Sequence, residues 1–470
     1  MSQTTNFFTR TCFAAGGSAA GLVNNGVAFF LLIFYSQVCG LSPSLAGLAL
    51  LLALMVDAIS DPVVGKLSDT CRSRFGRRHP FMYASILPII GFYYALWVPP
   101  ETGQAGLFAY LLFTSIGLRL SLTAFSIPFT ALIPELTRDY DERTRLVNYN
   151  LSASWFAGTM MAVAMYAYWL ADSTEYPNGM GILRAEGYAE AGLFAAGLIL
   201  LLVALASLGT HRHIRQHSAT TTGTYQGLGT MLKQIGETFS NGSFRALAIS
   251  GIFNAAGAGT ATALWAYMQP YFWGFDSEQI SWMLTSQLLS AILAFTLVPL
   301  LARGREKKTV LILLSWLLIL VSAGPIVLRL TGVFPENGTS ELFYIMLVLG
   351  VLQVAMIAGS SIIVGSMLSD IVETRELASG RREEGTLLAV QSFINKGATG
   401  VGTFFGGIIL AIIDFPDQTL GMAVAPEVIT RLGLAYGPVL ALLYIAAILA
   451  LKHFRITRDS HAETLKALAQ

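Results

Sequence analysis

Runs of apolar residues, each long enough to cross a lipid bilayer, fill this chain and leave few architectures open to it. They fall near 12–37, 43–68, 81–98, 107–132, 147–172 and 188–209, and again near 243–273, 278–301, 309–331, 341–368, 387–414 and 431–453. A hydrocarbon core about 30 Å thick takes roughly 20 residues of helix. Inside it every backbone polar group must bond within its own helix or within a closed barrel. Runs of this length predict helices. The expected fold is an all-α membrane protein with 12 transmembrane helices in two six-helix bundles. Residues 1–210 form the N-terminal bundle, 211–242 a cytoplasmic linker too polar to span, 243–454 the C-terminal bundle and 455–470 a cytoplasmic tail. Only 12% of the 470 residues are charged, against about a quarter in soluble chains. That excludes an ordinary soluble enzyme and a disordered chain. With 29 Lys and Arg against 28 Asp and Glu, no net field draws in nucleic acid. Three scattered cysteines make no disulfide framework. The first run is full length and follows a single basic residue, Arg10, so a cleavable signal is not expected.

Basic residues set the orientation. Turns from an even run to the next odd one hold Arg72, Arg74, Arg77 and Arg78; Arg138, Arg143 and Arg145; Arg303, Arg305, Lys307 and Lys308; and Arg375, Arg381 and Arg382. With the N-terminal arm, linker and tail, that side collects twenty-one Lys and Arg, the other only Arg184, Arg329 and Arg431. The positive-inside rule makes the rich side cytoplasmic and places both termini there. The charge-mixed turns 134–145 and 369–385 occupy corresponding places in the two halves. Two halves of equal topology predict transport by rocking about a central site.

Each charge within a run costs about 2.5–3.5 kcal/mol to insert, so those present are informative. The second run reads Asp57-Ala-Ile-Ser60-Asp61-Pro62. The i, i+4 spacing puts both carboxylates on one helix face, where they repel unless a cation or proton lies between them. Pro62 denies a bond to a carbonyl one turn back. Carboxylates, hydroxyl and carbonyl oxygen together suit Na+ or a shared proton; a structural salt bridge is the alternative. Arg119 lies about 18 Å into the fourth run and Lys396 about 14 Å into the eleventh. Each requires an anion, either substrate or the Asp57–Asp61 pair. The small residues of 254–264 predict close helix packing, with Asn254 a polar group at depth. His211, His213 and His217 lack the partners of a closed zinc set, and there is no Walker sequence. No metal site beyond a transported cation, no cofactor and no enzyme activity are expected.

The segment Gly65-Lys-Leu-Ser-Asp69 followed by Arg74-Phe-Gly-Arg-Arg-His-Pro80 resembles the signature turn of the major facilitator superfamily. Together with Asp57–Pro62, Ile127-Pro128-Phe129, Pro134–Thr137 and Gln391-Ser-Phe-Ile-Asn-Lys396, it is similar to the glycoside–pentoside–hexuronide:cation symporters. That family is of the melibiose permease type, with sodium-dependent lysophosphatidylcholine symporters as relatives. The resemblance implies a cation site of Asp57, Ser60, Asp61 and Thr123, and a substrate site including Gln391 and Lys396. It further implies a cytoplasmic charge network, here Asp69, Arg74, Arg77, Arg78, Glu135, Arg143, Asp370, Arg381 and Arg382.

The chain departs from the sugar-binding members at three places. Ser126 stands where they carry an aspartate before Ile-Pro, Gly16–Val27 holds no acid, and Leu151 replaces an arginine. Arg119 adds a cation close by. Acid groups that accept sugar hydroxyls are lost and a positive charge is gained, so Arg119 and Ser126 join the expected substrate site; Asn254 joins it as the polar group at depth. The expected activity is Na+- or H+-coupled symport of a small sugar-like anionic solute, a uronide or related glycoside, by alternating access. The alternative is a sodium-dependent lysophospholipid or other amphiphile transporter. A monomer in a plasma membrane, the bacterial inner membrane in particular, is expected, its partners the solute, the coupling cation and lipid.

Overall fold

The computed structural model describes residues 6–137, 139–211, 236, 239–379, 384–417 and 424–468. Each apolar run is helical, all but one of them in a single long helix. The first half comprises α1 (Phe7–Ile33, prolonged by a π-turn over Phe34–Val38), α2 (Pro43–Thr70), α3 (His79–Leu96) and α4 (Gln104–Thr130). The one-turn α5 (Ile133–Leu136) leads to α6 (Tyr140–Ala164, prolonged over Met165–Trp169) and α7 (Ala185–Thr210). The second half comprises α8 (Gly242–Tyr267, prolonged over Met268–Phe272), then α9 (Ser277–Ser286) and α10 (Leu288–Ala302), one run broken at Gln287. After them come α11 (Lys307–Leu330), α12 (Ser340–Ser379), α13 (Glu384–Ile412), α14 (Pro426–Leu451) and a tail helix, α15 (Arg458–Leu468). Among the described residues, nine helical segments are long and apolar enough to cross a membrane by that measure alone. Helices α3 and α6 are among those that fall short, and both are less apolar: α3 carries His79, two prolines and three tyrosines, and α6 carries Asn148, Asn150 and two serines after its charged first turns.

The described chain packs as two compact units. One joins the helices up to Thr210 to two segments of the second half, Thr262–Thr285 and Thr403–Val428; the other holds Ser286–Gly402 with the start of α8 and most of α14. In the first unit, α1 and α6 touch backbone to backbone. A Cβ on Gly17 would lie 2.1 Å from the Asn150 carbonyl oxygen, and one on Gly21 would lie 1.9 Å from that of Ser154. Glycines four apart make such a seam, because nothing larger lets two helix backbones approach.

The same unit is knitted at the end that carries the turns after α1, α6 and α8. Trp265 packs edge-on to Phe29 at 5.6 Å and Tyr166 at 6.1 Å, and the Tyr267 and Ser36 hydroxyls are hydrogen-bonded. The Gln37 amide donates to the Pro416 carbonyl at 2.9 Å. The Asp172 carboxylate accepts from Gly179 N at 2.8 Å, Gly181 N at 3.3 Å, Ser277 N at 3.3 Å and Ser277 Oγ at 2.8 Å. Asp172 thus caps the start of α9, where unsatisfied N–H groups favour an anion. In the second unit, Gly402 would place a Cβ 2.0 Å from the Ala256 carbonyl oxygen, and Thr260 donates to the Gly402 carbonyl at 2.9 Å. The small residues of α8 serve close packing here.

Candidate cation and substrate site

Helix α2 presents Asp57 and Asp61 one turn apart, and packing of α2 against α4 brings Thr123 between them. The Thr123 hydroxyl donates to Asp57 Oδ1 at 2.8 Å and lies 3.1 Å from Asp61 Oδ1. Asp57 and Thr123 are buried, at 5% and 2% exposure. A hydroxyl brings one proton and no charge, so it orders the two carboxylates without neutralising them. Ser60 is buried beside them, but its hydroxyl donates to the Asp57 carbonyl at 2.9 Å. Pro62 has no N–H for the Ala58 carbonyl, so this stretch of α2 already departs from regular helix bonding. The cluster brings together two carboxylates and a hydroxyl, hard oxygen donors of the chemistry that binds Na+ or shares a proton.

Arg119 sits one turn before Thr123 on α4, half-exposed, and its Nη1 donates to Asn24 Oδ1 of α1 at 2.9 Å. Ser126 lies on α4 after Thr123, half-buried. In the second unit, the Asn254 amide donates back to the Ser250 carbonyl at 3.0 Å, within its own helix. The Gln391 amide donates to Asn395 Oδ1 at 3.0 Å, while its buried Oε1 accepts no hydrogen bond. Lys396 follows on α13, half-buried.

The arginine-rich turn is built on Gly76, whose φ of +76° suits a residue without a Cβ. Glu135 of α5 gathers two guanidiniums: Arg77 Nε donates at 3.0 Å and Arg78 Nε lies 2.9 Å away. Arg78 Nη2 also reaches Asp69 at 3.4 Å. Burial pushes the Arg78 guanidinium below its ordinary value, while Glu135 and Asp69 pull it back up. Arg74 lies over the Phe75 ring at 4.6 Å, and Arg143 Nε donates to the Thr137 carbonyl at 3.1 Å. Asp370 is held by Lys307 Nζ at 2.7 and 2.8 Å. Arg381 and Arg382 lie outside the described residues, as do His213 and His217. His211 bonds to the Tyr83 hydroxyl at 2.5 Å.

A family model described as MFS/sugar transport protein matches residues 12–458. The chain belongs to this family. It is 27% identical to an uncharacterized symporter of Synechocystis sp., over 98% of this chain and 96% of that one. It is 24% identical to sodium-dependent lysophosphatidylcholine symporter 1 of Gallus gallus, over 98% of this chain and 88% of the relative. The xylose transporter of Escherichia coli in its inward open conformation shares the fold, with a TM-score of 0.61 at 17% identity over 98% of each chain. This MFS chain is a multi-pass membrane symporter, a transporter and not an enzyme.

Three partners of this MFS charge system escaped the sequence. Arg10 forms a two-pronged pair with buried Glu142, at 2.9 and 3.0 Å. His461 of the tail helix meets Glu373 at 2.5 Å and Asp370 at 3.4 Å. These three ligating groups lie within 4.8 Å of one another, but the Lys307 ammonium already balances Asp370. Asn24 on α1 holds Arg119. Only its polarity within an apolar run marked it.

Proposed function

We propose that this MFS symporter couples the movement of one small cation, Na+ or H+, to that of a small sugar-like anionic solute by alternating access. The observation that carries the reading is the placement of Arg119 one helical turn from Thr123, whose hydroxyl bridges Asp57 and Asp61. A cation at Asp57, Ser60, Asp61 and Thr123 lowers the repulsion between the carboxylates and the cost of closing around them. The same step turns the field felt by Arg119 toward positive, which favours an incoming anion. Ser126, Asn254, Gln391 and Lys396 are assigned to the substrate path. The turns holding Asp69, Arg74, Arg77, Arg78, Glu135, Arg143, Asp370, Arg381 and Arg382 are assigned to a cytoplasmic gate. With them both termini lie in the cytoplasm, and the protein acts as a monomer in a bacterial inner membrane. One monovalent cation moving with a singly charged anion carries no net charge, so the driving force is the cation's concentration gradient and not the membrane potential.

Thermal unfolding of the detergent-purified protein tests this. A glucuronide, a neutral galactoside and a lysophospholipid are each added with and without Na+, then at varied pH. A bound ligand at 100 times its dissociation constant stabilises by about 2.7 kcal/mol. The expected result is a shift with the glucuronide that depends on the cation. A lysophospholipid-specific shift moves the assignment to the amphiphile class named by the Gallus gallus relative. A shift with the galactoside alone refutes the role given to Arg119.

A further inference from the structure

We infer that Asn24 and Arg119 form one charge-reading pair, in which Asn24 is the positioning residue that aims the guanidinium at an anionic group of the substrate. This rests on the anion reading of Arg119 given above, and it adds a specificity-determining residue on a different helix. A guanidinium carries five N–H donors in a fixed plane, so holding Nη1 at one edge orients the remaining donors. Asn24 Oδ1 does this at 2.9 Å. The partner is an amide, and its neutrality matters: a carboxylate at this position would pair with Arg119 and cancel the charge a substrate must meet. Neither member is sealed in by packing, Asn24 being exposed and Arg119 half so, which leaves the pair accessible to a solute. The adjacent amide has a different role. Asn25 Nδ2 would lie 2.5 Å from a Cβ on Gly158, so Asn25 fills the α1–α6 seam. Asn24 is turned toward α4.

Competition uptake in proteoliposomes tests the pair, with a glucuronide and the neutral glucoside of the same aglycone under an inward Na+ or H+ gradient. Wild-type protein is expected to favour the glucuronide. Asn24→Asp should lower the glucuronide-to-glucoside ratio of kcat/KM by about tenfold to a hundredfold, because its carboxylate neutralises Arg119. Asn24→Ser, which keeps a small neutral acceptor, should retain the preference. In an Arg119→Gln background, Asn24→Asp should change the ratio no further. A purely structural Asn24 would depress both solutes alike and leave the ratio at its wild-type value. Glucuronide preference in the wild type with an unchanged ratio in Asn24→Asp overturns this inference alone. Wild-type protein that favours the glucoside, or carries neither solute, overturns the anion reading and the inference with it.

Discussion

Thr123 joins two carboxylates with a single hydroxyl, and the physics of the site turns on that economy. The bridge fixes where Asp57 and Asp61 point but leaves their negative charge to be met from elsewhere. Either Asp57→Asn or Asp61→Asn is expected to abolish gradient-driven uptake while the protein still folds, since an amide keeps the volume and one acceptor. Uptake in proteoliposomes checks this, and survival of gradient-driven uptake in both variants would remove the cation assignment. Thr123→Ala should weaken cation affinity by about tenfold, the scale of one hydrogen bond to a charged group. Thr123→Ser should restore it, as read from the Na+ dependence of thermal unfolding. The aspartates were legible in the sequence because a charge in an apolar run stands out at once. Thr123 came from resemblance, since a threonine in such a run carries no mark of its own. Asn24, Glu142 and His461 were missed because their partners are distant in the chain, Arg119 lying 95 positions after Asn24 and Glu142 lying 132 after Arg10.

At the scale of helices, length was the legible quantity and contact was not. Hydropathy located the runs, because crossing a hydrocarbon layer fixes how many apolar residues a helix needs. The ends were less well placed: α6 begins at Tyr140, seven residues before the apolar run, because its first turns are charged and capped by the Asp139 side chain on Glu142 N at 3.0 Å. Which helices share a seam depends on partners no single run can name. Gly17 and Gly21 read as small residues, and only the fold supplies Asn150 and Ser154 opposite them. Gly21→Ala places a methyl 1.9 Å from a carbonyl oxygen, so it should cost about 1–3 kcal/mol through backbone displacement. Gly91→Ala, at a helix position with nothing within 4 Å of the added Cβ, should instead raise stability by up to about 1 kcal/mol. Thermal unfolding of the two variants decides this; equal shifts would contradict the seam.

For the whole molecule, the informative region is the end knitted by Asp172. Opening it requires that the carboxylate release Ser277 at the start of α9, while Gly179 and Gly181 belong to its own loop and can stay bound. Asp172→Ala should therefore bias that end toward opening, and a cysteine already present there reports on it. Burial pushes the Cys39 thiol up to about 12, so at pH 8 almost none of it is thiolate, the form that reacts. Exposure lets the value fall toward that of a free thiol, about 8.5, and the thiolate fraction rise by as much as about a thousandfold. With Cys12 and Cys71 replaced by Ser, maleimide labelling of Cys39 should accelerate by about a hundredfold or more in Asp172→Ala. Labelling no faster than in the parent would show that Asp172 does not hold this end.

The two ends also differ in how they feel dissolved salt. Asp172 is gripped by amides and a hydroxyl, donors without net charge that bind at contact range. In the arginine-rich turn the link from Arg78 to Asp69 joins full charges at a carboxylate open to water, Asp69 being 57% exposed, while Glu135 with Arg77 and Arg78 is more shielded. At physiological ionic strength the Debye length is about 8 Å and shortens as salt rises, weakening exposed charge pairs most. Brine should loosen the Asp69 link of the arginine end and leave the Asp172 end as tight as before. With the arginine-rich turns in the cytoplasm, as proposed, the gate that faces the surroundings is indifferent to their salinity. Sensitivity to salt is kept on the side where the cell itself sets the ion content.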